Sequence, residues 1–469
     1  MLFSSLTFIF LFLPIVLVVY YISPKKLRNL VLFLSSLVFY SWGEPVYIVI
    51  MLFSIVFNYL SGLLIGRAQE DPARKKLILV VSIVGNLSVL GFFKYSNFFI
   101  ENINSLFGAG LSLVRVALPI GISFYTFQSM SYTIDVYRGQ VLPNKNIINF
   151  GTYVTLFPQL VAGPIVRYKD IARELDYREE DFNKFAYGVR RFIVGFAKKI
   201  LLANSIGQVW NQVSQMELAS LPILTAWLAA LAFSLQIYFD FSGYSDMAIG
   251  LGYIFGFSFL ENFDYPYISR SLTEFWRRWH ISLSSWFKEY VYIPLGGSRC
   301  SRTRLIINLF IVWTLTGFWH GASWNFLIWG FYFGLILTLE KLLLLDYLER
   351  LPAFFQHIYA LFFIVVGWVI FALEDLSQVI AYLRTMFGLN GNLALDSGSL
   401  YLLRNNLVVL VLACLASTRL GPKLKERLLA TNKDSRLLGL VNLAYLLIFI
   451  VSICFLIGDS YNPFLYFRF

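Results

Sequence analysis

Residues 46–66 read VYIVIMLFSIVFNYLSGLLIG and contain no charged side chain. A helix needs only about 17–25 predominantly apolar residues to cross a lipid bilayer. Similar stretches recur at 3–22, 29–43, 46–66, 77–94, 116–136, 147–166, 186–208, 221–240, 244–260, 305–320, 323–345, 355–373, 398–418 and 436–457. Several of these, notably 29–43, 244–260 and 305–320, are too short or too polar for a full crossing. The pattern predicts an all-α integral membrane protein with about 11–12 transmembrane helices plus re-entrant or interfacial helices.

The overall composition agrees with a membrane protein. Of the 469 residues, 58% are hydrophobic and 14% are charged, against about 45–50% and about 25% in ordinary globular domains. A soluble fold cannot hide that excess, so a soluble enzyme, a disordered chain and a nucleic-acid binder are excluded. The net charge of +11 then reflects basic cytoplasmic loops. The apolar run from Leu2 to Ile22 lacks a basic leader and a small-residue cleavage site, so we expect a retained helix.

The longest basic region, residues 270–304, alternates its cations with aromatic side chains. Read as one helix over 274–287, it places Trp276 and Trp279 near one face, while Arg277 and Arg278 turn toward the other. We expect this helix to lie in the cytoplasmic interface or to dip into the bilayer. A tight turn at Pro294–Gly297 follows it.

The chain contains only three histidines: His280, His320 and His357. Counted from Arg304 at about 1.5 Å per residue, His320 lies roughly 24 Å along a helix, deep enough that an ionisable group is costly. A neutral imidazole can act as a general base on a hydroxyl near pH 7. His320 and His280 are therefore candidate catalytic residues. The plainer alternatives are a hydrogen-bonded structural imidazole for His320 and an interfacial polar group for His280.

Two carboxylates stand among aromatic residues, at Asp240 and Asp246. Six residues apart, they do not share a helix face unless Gly243 breaks the helix. A paired-carboxylate mechanism is one interpretation, and the alternative is that each orients an arginine or a histidine. The cysteines Cys300, Cys414 and Cys454 are too scattered to indicate a disulfide framework or a zinc site, and we expect no metal. Motifs for a P-loop, a serine nucleophile elbow and a zinc protease are absent.

Longer motifs support a family assignment. They are Leu118–Phe124, Phe157–Pro164, Tyr238–Gly250, Glu274–Ser282, Tyr292–Gly297, Trp319–Gly321 and Asn462–Phe469. Together they resemble the membrane-bound O-acyltransferase (MBOAT) family, in its bacterial branch typified by alginate O-acetyltransferase. The resemblance is good over residues 1–345 and only generic over 346–461.

The resemblance implies one membrane domain over 1–469, with a motif core at 115–345 and helices around a central tunnel. It implies that His320 is the signature catalytic histidine and that His280 is the second active position. The candidate substrate or tunnel residues are Trp276, Arg277, Arg278, Trp279, Trp319, Asp240 and Asp246. The resemblance names no residue that binds a cofactor.

The function implied is O-acyl transfer, with acetyl as the expected group. The donor would be a cytoplasmic thioester, either acetyl-CoA or an acyl-carrier thioester, with no tightly bound cofactor. The acceptor would be an exported or cell-wall polysaccharide, reached through an extracytoplasmic SGNH-type partner enzyme. We expect a multi-pass protein of the bacterial inner membrane, in contact with lipids and not with nucleic acid.

Three alternatives stay open. One is D-alanyl transfer to teichoic acid, which belongs to the same reaction class. Another is a proton-coupled flippase for a lipid or sugar, in which the histidines relay protons. The last is a structural assembly subunit, which predicts that both His280 and His320 tolerate replacement by alanine.

Overall fold

The structure is a computed structural model that describes residues 1–161, 163–431, 435–458, 461, 462 and 465. Within these residues the chain folds into helices and turns, and no strand occurs among them. Of the predicted family stretch Asn462–Phe469, only Asn462 and Leu465 are described, and Ala162 in the earlier motif also lies outside the described residues.

Eight helices of the described chain are long and apolar enough to cross a membrane. They are Ile48–Arg67, Pro72–Phe107, Phe182–Val213, Ile223–Ile254, Trp324–Arg350, Ala353–Ala372, Ser397–Ala416 and Leu437–Gly458. A shorter apolar helix spans Phe8–Ile22. The predicted all-α membrane class is confirmed, and the total of about 11–12 crossings stays a prediction.

The chain divides into two compact units, and the first comprises residues 1–192 and 244–260. Its helices are α1 (Phe8–Ile22), α2 (Arg28–Ser41), α3 (Ile48–Arg67), α4 (Pro72–Phe107), α5 (Ile122–Tyr137), α6 (Ile147–Thr155), α7 (Phe157–Leu160) and α8 (Tyr168–Asp176). Every side chain of α5 from Ile122 to Val136 is buried. A helix buried on all sides forms a core rather than a lipid-facing surface, so α5 is the centre of this unit.

The second unit comprises residues 193–243 and 261–469. The helices α9 (Phe182–Val213) and α10 (Ile223–Ile254) contribute residues to both units. The helices that follow belong to the second unit: α11 (Leu272–Arg278), α12 (Ile281–Phe287), α13 (Arg302–His320), α14 (Trp324–Arg350), α15 (Ala353–Ala372), α16 (Leu376–Met386), α17 (Ser397–Ala416), α18 (Leu420–Thr431) and α19 (Ser435–Gly458). Both histidines proposed for catalysis belong to this unit. The single domain expected over 1–469 stays a prediction.

The structure corrects the single helix expected over 274–287. Two helices, α11 and α12, replace it, with His280 between them in the left-handed conformation at φ 43° and ψ 55°. The break has a physical cause: the carbonyl oxygen of Asn262 accepts the backbone N–H of Ile281 at 3.0 Å, so that N–H serves another segment instead of continuing the helix. The expected turn at Pro294–Gly297 is confirmed, with φ of 112° at Gly296 and 59° at Gly297.

Helix α10 runs through Gly243 without a break, although the sequence separates 221–240 from 244–260. The reason is packing: a Cβ atom on Gly243 would lie 2.7 Å from the carbonyl oxygen of Gly195 and 3.1 Å from the backbone nitrogen of Lys199. Glycine at this position therefore permits close approach to α9 and does not act as a helix breaker.

Helices α13 and α14 cross in backbone contact. A Cβ atom built on Gly317 would collide with the carbonyl oxygen of Phe326 and lie 3.2 Å from the Cα atom of Gly330. A Cβ atom on Gly330 would in turn collide with the carbonyl oxygen of Trp313. Small residues are what allow helix backbones to approach this closely in membranes. The crossing brings the backbone of α14 against that of α13 just before His320.

We predict that Gly317→Ala destabilises the protein by about 1–3 kcal/mol, the usual cost of overpacking a filled interior. The added methyl group must push two helix backbones apart. Thermal unfolding of the purified protein, followed by fluorescence, measures the effect. Gly91→Ala is the matched control, because a Cβ atom on Gly91 has nothing within 4 Å. Equal melting temperatures for the two variants would contradict the close crossing.

Candidate active site

His280 lies in the turn between α11 and α12 and is 2% exposed. Its Nδ1 atom is 3.1 Å from Oδ1 of Asn262, while its Nε2 atom is buried and has no hydrogen-bond partner in the described part of the chain. Burial lowers the pKa of His280 to about 3, so the imidazole is neutral near pH 7. A neutral, buried imidazole with one open nitrogen is suited to proton transfer.

Asn262 holds this turn from a different segment of the chain. Its Oδ1 atom accepts hydrogen bonds from the backbone N–H of Ser282 at 3.2 Å and from the Ser282 hydroxyl at 2.9 Å. Its backbone carbonyl accepts the N–H of Ile281. Asn262 is fully buried. It contacts both the first residues of α12 and the imidazole of His280, which precedes that helix.

His320 is the last residue of α13, and Gly321 ends that helix in an extended conformation with φ −164°. The imidazole is partly buried and packs among aromatic rings. Its centroid is 5.2 Å from those of Trp329 and Phe371, in edge-to-face geometry. The rings surround the imidazole with low-dielectric material, a setting in which electrostatic interactions with a reacting group are strengthened.

Trp319 brings the two candidate histidines together. Its ring centroid is 6.0 Å from that of His280 and 5.0 Å from that of His320. The two imidazoles therefore contact the same indole, and the sum of these distances bounds their separation. The structure places both histidines in one site of the second unit, although 40 residues separate them in the sequence.

Trp276 and Trp279 also pack against aromatic rings of the second unit. The ring of Trp276 lies 5.5 Å from that of Trp329, and the ring of Trp279 lies 4.7 Å from that of Trp368. The rings of Trp329 and Trp368 are themselves 6.2 Å apart. This aromatic cluster, defined as Trp276, Trp279, Trp319, Trp329, Trp368 and Phe371, extends from α11 to the two imidazoles.

The two arginines expected near the site differ in their surroundings. Arg277 is exposed. Arg278 is partly buried and paired: its Nη2 atom is 2.8 Å from Oε1 of Glu274, and its Nη1 atom is 2.9 Å from Oδ2 of Asp264. Arg278 thus ties α11 to the loop before it, and Arg277 is left facing the surroundings of the protein.

Asp240 and Asp246 lie on one helix but pair with different bases. In the second unit, Oδ1 of Asp240 is 2.6 Å from Nζ of Lys199, with both side chains almost fully buried, and Oδ2 accepts the backbone N–H of Leu465 at 2.8 Å. In the first unit, Oδ1 of Asp246 is 2.5 Å from Nη2 of Arg191. Asp246 thus pairs with an arginine, one of the two expected partner types, whereas Asp240 pairs with a lysine, which the sequence interpretation did not include. Their contact with substrate stays a prediction.

Two positions that shape the candidate site were not among the residues predicted from the sequence: Asn262 and Glu340. Glu340 is fully buried in α14, where Oε1 accepts the backbone N–H of Leu272 at 2.8 Å and Oε2 accepts that of Thr273 at 2.7 Å. It thereby caps α11, which carries Trp276. A signal existed in the sequence, because an acidic residue within an apolar stretch of a membrane protein is costly and rarely idle.

Comparison with known proteins decides the family. A model described as the membrane-bound O-acyltransferase family (MBOAT) matches residues 141–376. A probable alginate O-acetylase from Azotobacter vinelandii is 40% identical in an alignment of 505 residues that covers 100% of both proteins. The chain belongs to the membrane-bound O-acyltransferase family. A peptidoglycan O-acetyltransferase from Helicobacter pylori is a further relative, 34% identical over 83% of this chain and 80% of its own length.

This MBOAT protein is therefore a multi-pass membrane O-acyltransferase, as the sequence predicts. The alternative of D-alanyl transfer is less well supported. A teichoic acid D-alanyltransferase from Bacillus subtilis is 29% identical over 47% of this chain, a more distant relation than that of the O-acetyltransferases. The roles of individual residues, including His280 and His320, stay predictions.

We predict that Lys199→Met costs about 3–5 kcal/mol, because it leaves the carboxylate of Asp240 buried and unpaired. The double variant Lys199→Met/Asp240→Asn should recover most of that stability, since asparagine is neutral and retains an oxygen for the N–H of Leu465. Thermal unfolding of the two variants measures the difference. If Asp240 serves only this pairing, the stable double variant also transfers acyl groups. A stable double variant without transfer would show that Asp240 acts on substrate.

Proposed function

We propose that this MBOAT enzyme transfers an acetyl group from a cytoplasmic thioester toward an exported or cell-wall polysaccharide, and that it works with an extracytoplasmic partner enzyme. The observation that carries the proposal is the pair of imidazoles, His280 and His320, which both contact the indole of Trp319 in an aromatic cluster. The relatives support the acetyl group and the polymer, because their names give alginate and peptidoglycan as the polymers they modify.

The chemistry requires one proton to move. The oxygen of the acceptor hydroxyl bonds to the carbonyl carbon of the thioester, and its proton passes to an imidazole. When the carbon–sulfur bond breaks, the imidazolium returns that proton to the leaving thiolate. The products are an ester and a free thiol, and no net proton is consumed. We assign the acceptor hydroxyl to His320 and the donor side of the site to His280.

The basic region 270–304 supports an anionic donor. Its exposed cations are Arg270, Arg277, Lys288, Arg299, Arg302 and Arg304. A concentration of positive charge attracts phosphate groups over distances of several ångströms and speeds their encounter with the protein. Acetyl-CoA and a phosphopantetheine carrier both bear phosphates next to the thioester arm. We place this region at the cytoplasmic side, and the enzyme in the bacterial inner membrane.

We predict that His320→Gln lowers acetyl transfer by about 100-fold or more, the usual contribution of a general base. Glutamine keeps a polar side chain of similar size but cannot take the proton. The measurement uses the purified full-length chain in lipid nanodiscs, with labelled acetyl-CoA as donor and release of free CoA as the readout. A second assay with an acetylated carrier protein compares the two donors.

His357→Gln is the matched control, because His357 lies outside the aromatic cluster, with Nδ1 3.0 Å from the carbonyl oxygen of Ser269. We expect it to retain the full rate. A His320→Gln protein with an undiminished rate would overturn the role given to His320. Wild-type protein that releases no thiol but carries substrate into vesicles with protons would overturn the transferase proposal in favour of a flippase.

A further inference from the structure

The hydrogen bonds around Asn262 identify which atom of its side chain faces His280. Carbonyl and amide ends of an asparagine look alike, and only their partners distinguish them. The backbone N–H of Ser282 points at the same Asn262 atom that faces His280, at 3.2 Å, and a backbone N–H can only donate. That atom is therefore the carbonyl oxygen of Asn262.

The hydrogen atom of the imidazole can be located in the same way. An amide oxygen only accepts hydrogen bonds, and Nδ1 of His280 lies 3.1 Å from it. Two acceptors would repel each other at this distance, so Nδ1 carries the hydrogen atom. The Ser282 hydroxyl also lies 3.4 Å from Nδ1, but it donates to Oδ1 of Asn262 at the shorter distance of 2.9 Å. A neutral imidazole has one hydrogen on nitrogen, so the lone pair is on Nε2, the buried atom for which the described residues provide no partner.

The backbone reinforces this arrangement. His280 adopts a left-handed conformation that is unusual for a residue with a side chain. Asn262 supports it through its carbonyl bond to Ile281 and its side-chain bonds to Ser282. The imidazole therefore has little freedom to rotate and exchange its two nitrogens.

We infer that Asn262 is a positioning residue that holds His280 in the tautomer with hydrogen on Nδ1, so that His280 enters the reaction as a proton acceptor through Nε2. The inference deepens the proposed function and rests on it. In this tautomer Nε2 has no proton to give to an oxyanion or to a thiolate. Any proton that His280 delivers to the leaving thiolate must first be taken up at Nε2, which fixes the order of its steps.

Nitrogen-15 NMR of the full-length chain in lipid bilayers, with labelled histidine, tests the inference directly. The three histidines give few signals, and a His280→Gln sample assigns those of His280 by difference. We expect wild-type His280 to show a protonated Nδ1 and an unprotonated Nε2. His357 serves as an internal reference, because its Nδ1 faces a backbone carbonyl, which also only accepts. A protonated Nε2 on wild-type His280 would overturn the inference.

The variant Asn262→Leu removes the acceptor oxygen and keeps the shape and the backbone carbonyl. We expect the signals of His280 to change toward the other tautomer, those of His357 to stay, and kcat for acetyl transfer to fall about tenfold or more with KM for the donor unchanged. Asn262→Asp, which restores an acceptor oxygen, should keep Nδ1 protonated and recover part of the rate. Ser282→Ala tests the neighbouring hydroxyl, which donates to the same oxygen and lies 3.4 Å from Nδ1 of His280; because Asn262 still accepts from Nδ1, we expect the tautomer to stay unchanged.

The outcomes separate this inference from the proposed function. If Asn262→Leu leaves His280 in its original tautomer, Asn262 does not hold it and the inference fails, whatever the transfer activity. If Asn262→Leu does not fold, the wild-type spectrum and Asn262→Asp still decide. If the wild-type enzyme has the expected tautomer but transfers no acyl group, the proposed function fails.

Discussion

The close crossing of α13 and α14 at Gly317 and Gly330 is the contact on which the candidate site depends. In a bilayer, apolar side chains gain little by leaving lipid for protein, so helices are held together by packing and by hydrogen bonds. Two glycines allow the backbones to touch, and α13 ends three residues later at His320. That contact therefore determines where the imidazole of His320 lies in the aromatic cluster, because a histidine side chain is too short to reach the cluster from a more distant helix end.

Buried polar groups then organise what the glycines bring together. Asn262 forms the turn at His280, Glu340 caps α11, and Lys199 pairs with Asp240. Each of these groups has partners that satisfy it, which is the condition for placing a polar side chain in an apolar interior. The catalytic candidates are therefore held by hydrogen bonds from neighbouring segments, in addition to the packing of rings around them.

Much of the molecule could be predicted from the sequence, and the limits have physical reasons. The apolar stretches predicted an all-α membrane protein, and the small number of histidines identified His280 and His320 as catalytic candidates. The break at His280 could not be predicted, because Trp276, Trp279 and Leu283 follow a helical period and the residue that interrupts it, Asn262, lies 18 positions earlier. The continuity of α10 through Gly243 could not be predicted for a similar reason. Glycine destabilises an isolated helix, but at this position it permits close packing against α9. In both cases, residues that are distant in the sequence determine the local structure.

The roles proposed for His280 and His320 require the acyl group to react within the aromatic cluster, next to the two imidazoles. A structure of the enzyme in lipid, with an acetyl-CoA analogue whose thioester sulfur is replaced by a methylene group, tests it most directly. We expect the carbonyl carbon of the analogue to lie next to Trp319, within about 4 Å of an imidazole nitrogen of His280 or His320, the reach of a near-attack geometry. A carbonyl carbon seated outside the cluster, with neither histidine in contact, would contradict it.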